Sequence, residues 1–328
     1  MKKAPRNRIG LCIAGVVLLC LIAVLLIYGN AKSSSRTESL KQHKNISSIR
    51  DSREIVCWGD SLTEGVGASF ALIKTDTGYF DASFLSYPEI LEQLTGIRTY
   101  NFGMSGATSA DIAFMQGGYT LDEDSEEQPE SEDRPEGEAK DKPKDGPEEE
   151  SGDKPKDRPE GDGFEFDLVK SMIKLQAAEH KGDILILEMG SNGGWDEGFG
   201  QLIEQYRFMI DYAGCDKFII IGDTDDPGSS YADPWDYPQD YGLGIQETAW
   251  EAALREEFGE HFINMRLFLI ERGLSEAGLE PTEEDEEYAE QGWISEQLRY
   301  DWTHLNSYGY YAQAIGVYEK GKALGYWT

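Results

Sequence analysis

From Glu54 onward, short apolar runs alternate with stretches whose apolar residues recur every three or four positions. Glu54–Cys57, Arg98–Phe102, Asp183–Met189, Lys217–Ile221 and Phe262–Met265 read as strands. Tyr87–Thr95, Leu168–Ala178, Gln201–Tyr212, Gln246–Phe258 and Ser307–Leu324 read as helices. Ile90, Leu91 and Leu94 share one face of the first helix, and Leu168, Met172 and Leu175 repeat at helical spacing in the second. Strands that alternate with helices imply a parallel sheet covered on both faces. The expected fold class is α/β, a three-layer α/β/α sandwich with a parallel sheet of about five strands.

Two regions break this rhythm. Residues 1–8 are basic, with Lys2, Lys3, Arg6 and Arg8, and an uninterrupted apolar run follows over 9–29. A run of ~20 apolar residues suffices to cross a bilayer as a helix. The basic residues ahead of it favour an N-terminus inside, which puts the rest of the chain outside the cytoplasm. The expectation is a transmembrane signal anchor at 9–29, a polar serine-rich stalk at 30–53, and a single-pass protein of the cell membrane. Gly29-Asn30-Ala31 offers a cleavage site, so secretion after cleavage near Ala31 is the alternative.

The second region, 121–163, contains Asp141-Lys142-Pro143-Lys144-Asp145 and, twelve residues on, Asp153-Lys154-Pro155-Lys156-Asp157. With few apolar residues it cannot offset its ordering entropy by burial, and it is expected to be a disordered acidic insertion. It carries 19 acidic and 7 basic residues, net −12 of the chain's −32. The domain at 54–328 therefore stays acidic without it. A polyanion needs basic groups to neutralise its phosphates, so nucleic acid is excluded as a partner. Of the four cysteines, Cys12 and Cys20 fall in the apolar run; Cys57 and Cys215 fall at opposite ends of the expected sheet, too far apart to bridge. No metal-ligand spacing appears.

In a parallel sheet, ligands gather beyond the carboxyl ends of the strands. The first such end reads Gly59-Asp60-Ser61-Leu62-Thr63-Glu64-Gly65. A serine there can be a nucleophile, or Asp60-Ser61 can simply cap the helix that follows. Near the last helix stands Asp301-Trp302-Thr303-His304-Leu305-Asn306. His43, His180 and His261 lie in the stalk, at a helix end and after an acidic helix end; His304 lies in a loop with aromatic neighbours. Histidine is the natural base for a serine hydroxyl, and Asp301 is close enough in a turn to orient it. The plainer alternative is that Asp301 and His304 cap the final helix. Gly103, just past a strand in Tyr100-Asn101-Phe102-Gly103-Met104-Ser105-Gly106, and Asn192, in Gly190-Ser191-Asn192-Gly193, resemble the preorganised donors that a developing oxyanion needs.

Taken together, these four separated blocks resemble the SGNH (GDSL-like) hydrolase family, over about residues 54–328. The resemblance implies Ser61 as nucleophile, His304 as base and Asp301 as third member of a triad. It implies the Ser61 N–H, the Gly103 N–H and the Asn192 side chain as oxyanion donors, a flavodoxin-like sheet, and no cofactor. One departure stands out: Gly193 occupies the position after Asn192 where the family usually has aspartate.

The function expected is an extracytoplasmic serine esterase that works through an acyl-enzyme on a small-molecule or glycan ester, with acetyl groups on envelope glycans first. A lysophospholipase or thioesterase of the same fold is the alternative within that class. The segment Leu267–Trp293 is a candidate helical flap, although its acidic Glu283–Glu287 disfavours a lid that docks on lipid. A non-catalytic glycan-binding ectodomain is the alternative outside that class. A flavin-binding domain would suit the sheet but lacks a phosphate-cradling loop.

Overall fold

The computed structural model describes residues 52–119, 162–224 and 246–328. The expected anchor, most of the stalk, and the acidic insertion up to residue 161 lie outside the described residues. No helix among the described residues is long and apolar enough to cross a membrane.

The strands are β1 (Glu54–Gly59), β2 (Leu72–Thr75), β3 (Gly78–Asp81), β4 (Arg98–Gly103), β5 (Ile184–Glu188), β6 (Phe218–Ile221) and β7 (Phe262–Ile263). Five of them form one sheet in the order β4-β1-β5-β6-β7, with every pairing parallel. In chain order that is 2-1-3-4-5, the arrangement of flavodoxin-like sheets. From β1 the chain crosses to one side and then returns to the other, so a crevice opens at the carboxyl ends of β1 and β5. β2 and β3 make a separate antiparallel hairpin.

Alternation along the strands builds two cores. Ile55, Cys57, Ile184, Ile186, Ile219 and Ile221 face one side of the sheet. Val56, Trp58, Leu185, Leu187 and Ile220 face the other. Helices α1 (Ser61–Glu64), α2 (Tyr87–Thr95), α3 (Ser109–Gln116), α4 (Asp162–Ala177), α5 (Phe199–Ala213) and α6 (Ala249–Phe258) lie between strands, and α7 (Glu283–Gln291) and α8 (Ser307–Ala323) follow β7. α2 and α8 cover the first face with Tyr87, Ile90, Leu91, Tyr310, Ala314 and Val317. α3, α5 and α6 cover the second with Ile112, Met115, Leu202, Tyr206, Trp250 and Leu254. Each such side chain contributes ~1.5–3 kcal/mol when fully buried, so the sheet is stable only with both layers in place. Cys57 is buried and Cys215 partly so, both as free thiols.

Three expectations need correction. The Leu168, Met172 and Leu175 repeat that marks α4 is not its buried side: these residues are 51, 53 and 75 % exposed. The helix packs instead through Phe166, Ile173 and Ala177, and Lys170 on that side pairs with Asp111 at 3.1 Å. The strand expected at Phe262–Met265 stops at Ile263, because Asn264 caps the next helix by accepting from Leu267 N. Leu267–Trp293 is no detached flap. It runs through Met265–Phe268, a π-helical turn Leu269–Gly273, Leu274–Glu276 and α7, burying Leu269 and Ala277 in the α8-side core.

Candidate active site

Ser61 is the first residue of α1, a single helical turn that starts where β1 ends. Asp60 caps that turn, its Oδ1 accepting from Leu62 N at 3.0 Å. Two glycines allow the turn to sit against the strand ends. A Cβ on Gly59 would overlap Thr63 Oγ1, and one on Gly103 would overlap the backbone of Thr63 and Glu64. The turn ends at Gly65, whose φ of +95° favours glycine.

His304 reaches the same place from the other end of the chain. Its loop is closed by an antiparallel bridge between Arg299 and Leu305, and by Tyr300 N donating to His304 O at 2.9 Å. The cap of α8 is Asn306, whose Oδ1 accepts from Tyr308 N and Gly309 N. Asp301 and His304 are therefore not the helix cap. His304 Nε2 lies 2.9 Å from Ser61 Oγ. His304 Nδ1 lies 2.9 and 3.0 Å from the two Asp301 carboxyl oxygens. Asp301 Oδ1 also accepts from Thr303 N at 2.9 Å and His304 N at 2.7 Å, which fixes the aspartate within its turn. Partial burial works against the Asp301 charge, but the bonds from the His304 ring and these two amides outweigh it and hold the carboxyl below its ordinary range.

The turn after β4 is tied down on two sides. Met104 N donates to Gly59 O, and Glu64 Oε2 accepts from Ser105 N at 2.8 Å and Ser105 Oγ at 2.6 Å. Asn192 Nδ2 donates to Ala107 O at 3.2 Å, which brings the loop after β5 onto this turn and leaves the second Nδ2 hydrogen to spare. Gly193, the next residue, adds further restraints. Its φ is +80°, its N–H donates to Gly190 O, and its carbonyl accepts from Ser109 N and Oγ at 2.9 and 3.0 Å.

Gly103 does not present a free amide. Its N–H donates to Asn101 Oδ1 at 2.8 Å, while Asn101 Nδ2 holds Thr63 O at 2.7 Å. Gly103 is a close-approach residue under α1. Three positions further, Gly106 sits with φ +73°, nothing crowds its Cα, and its N–H makes no hydrogen bond among the described residues. Sequence reasoning missed Asn101, Glu64 and Gly106. The Gly-x-x-Gly spacing of the turn was the one available signal, and its first glycine drew the assignment.

Burial raises the Asp60 carboxyl to about 7, with the charge of Asp223 adding to that effect. The other described histidines lie elsewhere: His180 stacks on Tyr100, and His261 Nδ1 lies 3.0 Å from Phe218 O. Among the described residues no group of His, Cys, Asp and Glu is arranged to hold a metal ion.

No protein-family model matches the chain, and no curated protein matches it either. Among solved structures it is similar to one described as a candidate lipolytic protein of the G-D-S-L family from Desulfitobacterium hafniense DCB-2. The identity is 13 %, 82 % of this chain and 99 % of that chain are covered, and the TM-score is 0.41.

Proposed function

We propose that the protein is a serine ester hydrolase of the SGNH (GDSL-like) kind. The observation that carries this reading is the hydrogen-bonded row Asp301, His304, Ser61, with 2.9 Å between His304 Nε2 and Ser61 Oγ. A nucleophile, a base and a group that orients the base are thereby within reach of one another.

In this mechanism Ser61 Oγ attacks the acyl carbon as His304 Nε2 takes the serine proton. Asp301 holds the ring through Nδ1 and stabilises the imidazolium. The oxyanion is assigned to the Ser61 N–H, which has no partner within its own helix because it is the first residue, together with the Asn192 side chain and the Gly106 N–H. Gly106 takes the place expected of Gly103. Collapse of the intermediate expels the alkoxide, which takes the proton from His304 and leaves the acyl group on Ser61. Water then gives a proton to His304 and attacks the acyl-enzyme; the acid departs and Ser61 recovers its hydrogen. No cofactor enters any step.

The site works outside the cytoplasm, tethered by the apolar run at 9–29, and takes small acyl esters, with acetyl groups on envelope glycans as first candidates. Tyr300 and Trp302, both exposed beside Asp301, offer apolar ring faces on which the C–H face of a sugar can pack. The decisive measurement is hydrolysis of p-nitrophenyl acetate by the wild type and Ser61→Ala, together with labelling of Ser61 by a serine-directed phosphonate. Equal rates in the two proteins would end the esterase reading.

A further inference from the structure

Glu188 ends β5 directly beside Gly59, the residue that ends β1. Its side chain is 2 % exposed. Oε2 accepts from Thr63 Oγ1 at 3.0 Å, and Oε1 accepts from Gln313 Nε2 at 2.6 Å. Thr63 stands on α1 two residues after Ser61. Gln313 stands on α8, the helix into which the His304 loop runs. Both partners are completely buried. Glu188 thus bonds to the two elements that carry the reacting pair, while no described hydrogen bond joins it to Ser61 or His304.

The sequence makes room for this link at some cost. A Cβ on Gly59 would collide with Thr63 Oγ1 and the Glu188 carbonyl, so only glycine lets threonine and glutamate meet. Thr63 Oγ1 lies a further 3.4 Å from Tyr87 Oη, which closes the α2 side. The charged groups that act on Glu188 are Asp60 and Asp223, both acidic. Burial first, and then the field of Asp60, push its carboxyl well above the ordinary range. A buried carboxylate without a cation is costly, so the charged form of the group is disfavoured here. A residue needed only to fill space here would be apolar.

We infer that Glu188 is a positioning residue: one carboxyl, anchored at the end of β5, sets the separation of Ser61 and His304 by holding Thr63 and Gln313 together. The inference rests on the esterase reading above.

The test uses the full chain with Glu188→Ala, Glu188→Gln, Thr63→Val and, as the control for the reading itself, Ser61→Ala. A misplacement of about 1 Å costs on the order of 10²-fold in rate. Glu188→Ala and Thr63→Val should each lower kcat on p-nitrophenyl acetate by about that factor, with KM nearly unchanged, and should shift the His304 ring resonances in NMR. Glu188→Gln, neutral and similar in shape, should recover most of kcat. Wild-type kcat in both Thr63→Val and Glu188→Ala, beside an inactive Ser61→Ala, would overturn the positioning role and leave the esterase reading standing. A Glu188→Gln as impaired as Glu188→Ala would also overturn it. Should Ser61→Ala match the wild type, the esterase reading fails, and an unshifted His304 resonance in Thr63→Val rejects positioning on its own. Thr63→Val and Glu188→Gln carry the test if Glu188→Ala does not fold.

Discussion

His304 Nε2 stands 2.9 Å from Ser61 Oγ although 243 residues of chain separate them. The two meet because β1 lies inside the sheet, between β4 and β5, and α8 packs beside α2 over its face, so the first and last described elements of the domain share a wall. Asp301 then aligns the ring through both carboxyl oxygens.

Replacing Asp301 by Asn should leave the fold intact and lower kcat by about 10²–10⁴-fold, since the amide cannot hold the imidazole in the same tautomer or stabilise its cation. Steady-state hydrolysis of p-nitrophenyl acetate, with melting temperature as the folding control, measures this. Loss of less than tenfold would remove Asp301 from the triad.

Asn192→Ala should lower kcat by about 10²–10³-fold with little change in KM, the effect of losing one oxyanion donor. The two glycines of the neighbouring turn should separate in kind. Gly103→Ala should lower the melting temperature sharply, because its Cβ meets the α1 backbone. Gly106→Ala has open space but a φ of +73°, so it should cost ~1–2 kcal/mol of stability and fall mainly in kcat. Thermal melts and kinetics on the pair decide between them.

Asp60 gives the stability of the domain a pH dependence of definite sign. Its folded pKa of about 7 exceeds the ordinary 3.8, so the folded chain holds a proton that the unfolded chain has released. Stability therefore falls as pH climbs from about 4 to about 7, by at most ~4 kcal/mol at ~1.4 kcal/mol per unit. Asp60→Asn keeps an acceptor for Leu62 N and cannot ionise. It should melt higher than the wild type at pH 8, and the gap should close near pH 4. Asp301 acts with the opposite sign: its contribution is present above 3.8 and is lost as pH falls through its lower folded value.

Glu251→Ala should destabilise the domain by ~3–5 kcal/mol, measured by denaturant unfolding. Glu251 and Arg266 form a buried ion pair with contacts of 2.7 and 2.8 Å, and Arg266 also donates to Gly292 O and Gln246 O. Removing the carboxylate would take from the buried guanidinium the countercharge that Glu251 supplies. A loss near 1 kcal/mol would mean that water enters to solvate it.

The sheet was legible in the sequence because its strands are buried on both faces. Ile184–Glu188 and Phe218–Ile221 read as continuous apolar runs, and α2 ends where Gly96 follows it. The β2–β3 hairpin was not legible, since only one side chain of its first strand, Ile73, is buried and no alternation develops. α7 was legible only as part of a candidate helical flap, without bounds of its own, because Glu283–Gln291 has almost no apolar face and forms through the Thr282–Asp285 capping box. α4 carries two apolar stripes, and spacing alone does not say which one faces the core. At the site, Ser61, His304 and Asp301, which the structure brings together, each stand in a recognisable local motif. Gly103 was given the role of donor because sequence shows a glycine but not where its amide is already spent. Glu188 hid inside an apolar strand.

The order of assembly follows from α8. Ten of its residues are buried, and it supplies Tyr310, Ala314 and Val317 to one face of a sheet whose first strand is made some 250 residues earlier. A chain still in synthesis holds Ser61 in its turn without any base to activate it. On the esterase reading the serine gains its base only when α8 docks, and a molecule lacking that helix should be inert toward esters. On the same reading a serine-directed label would count the molecules in which α8 has docked.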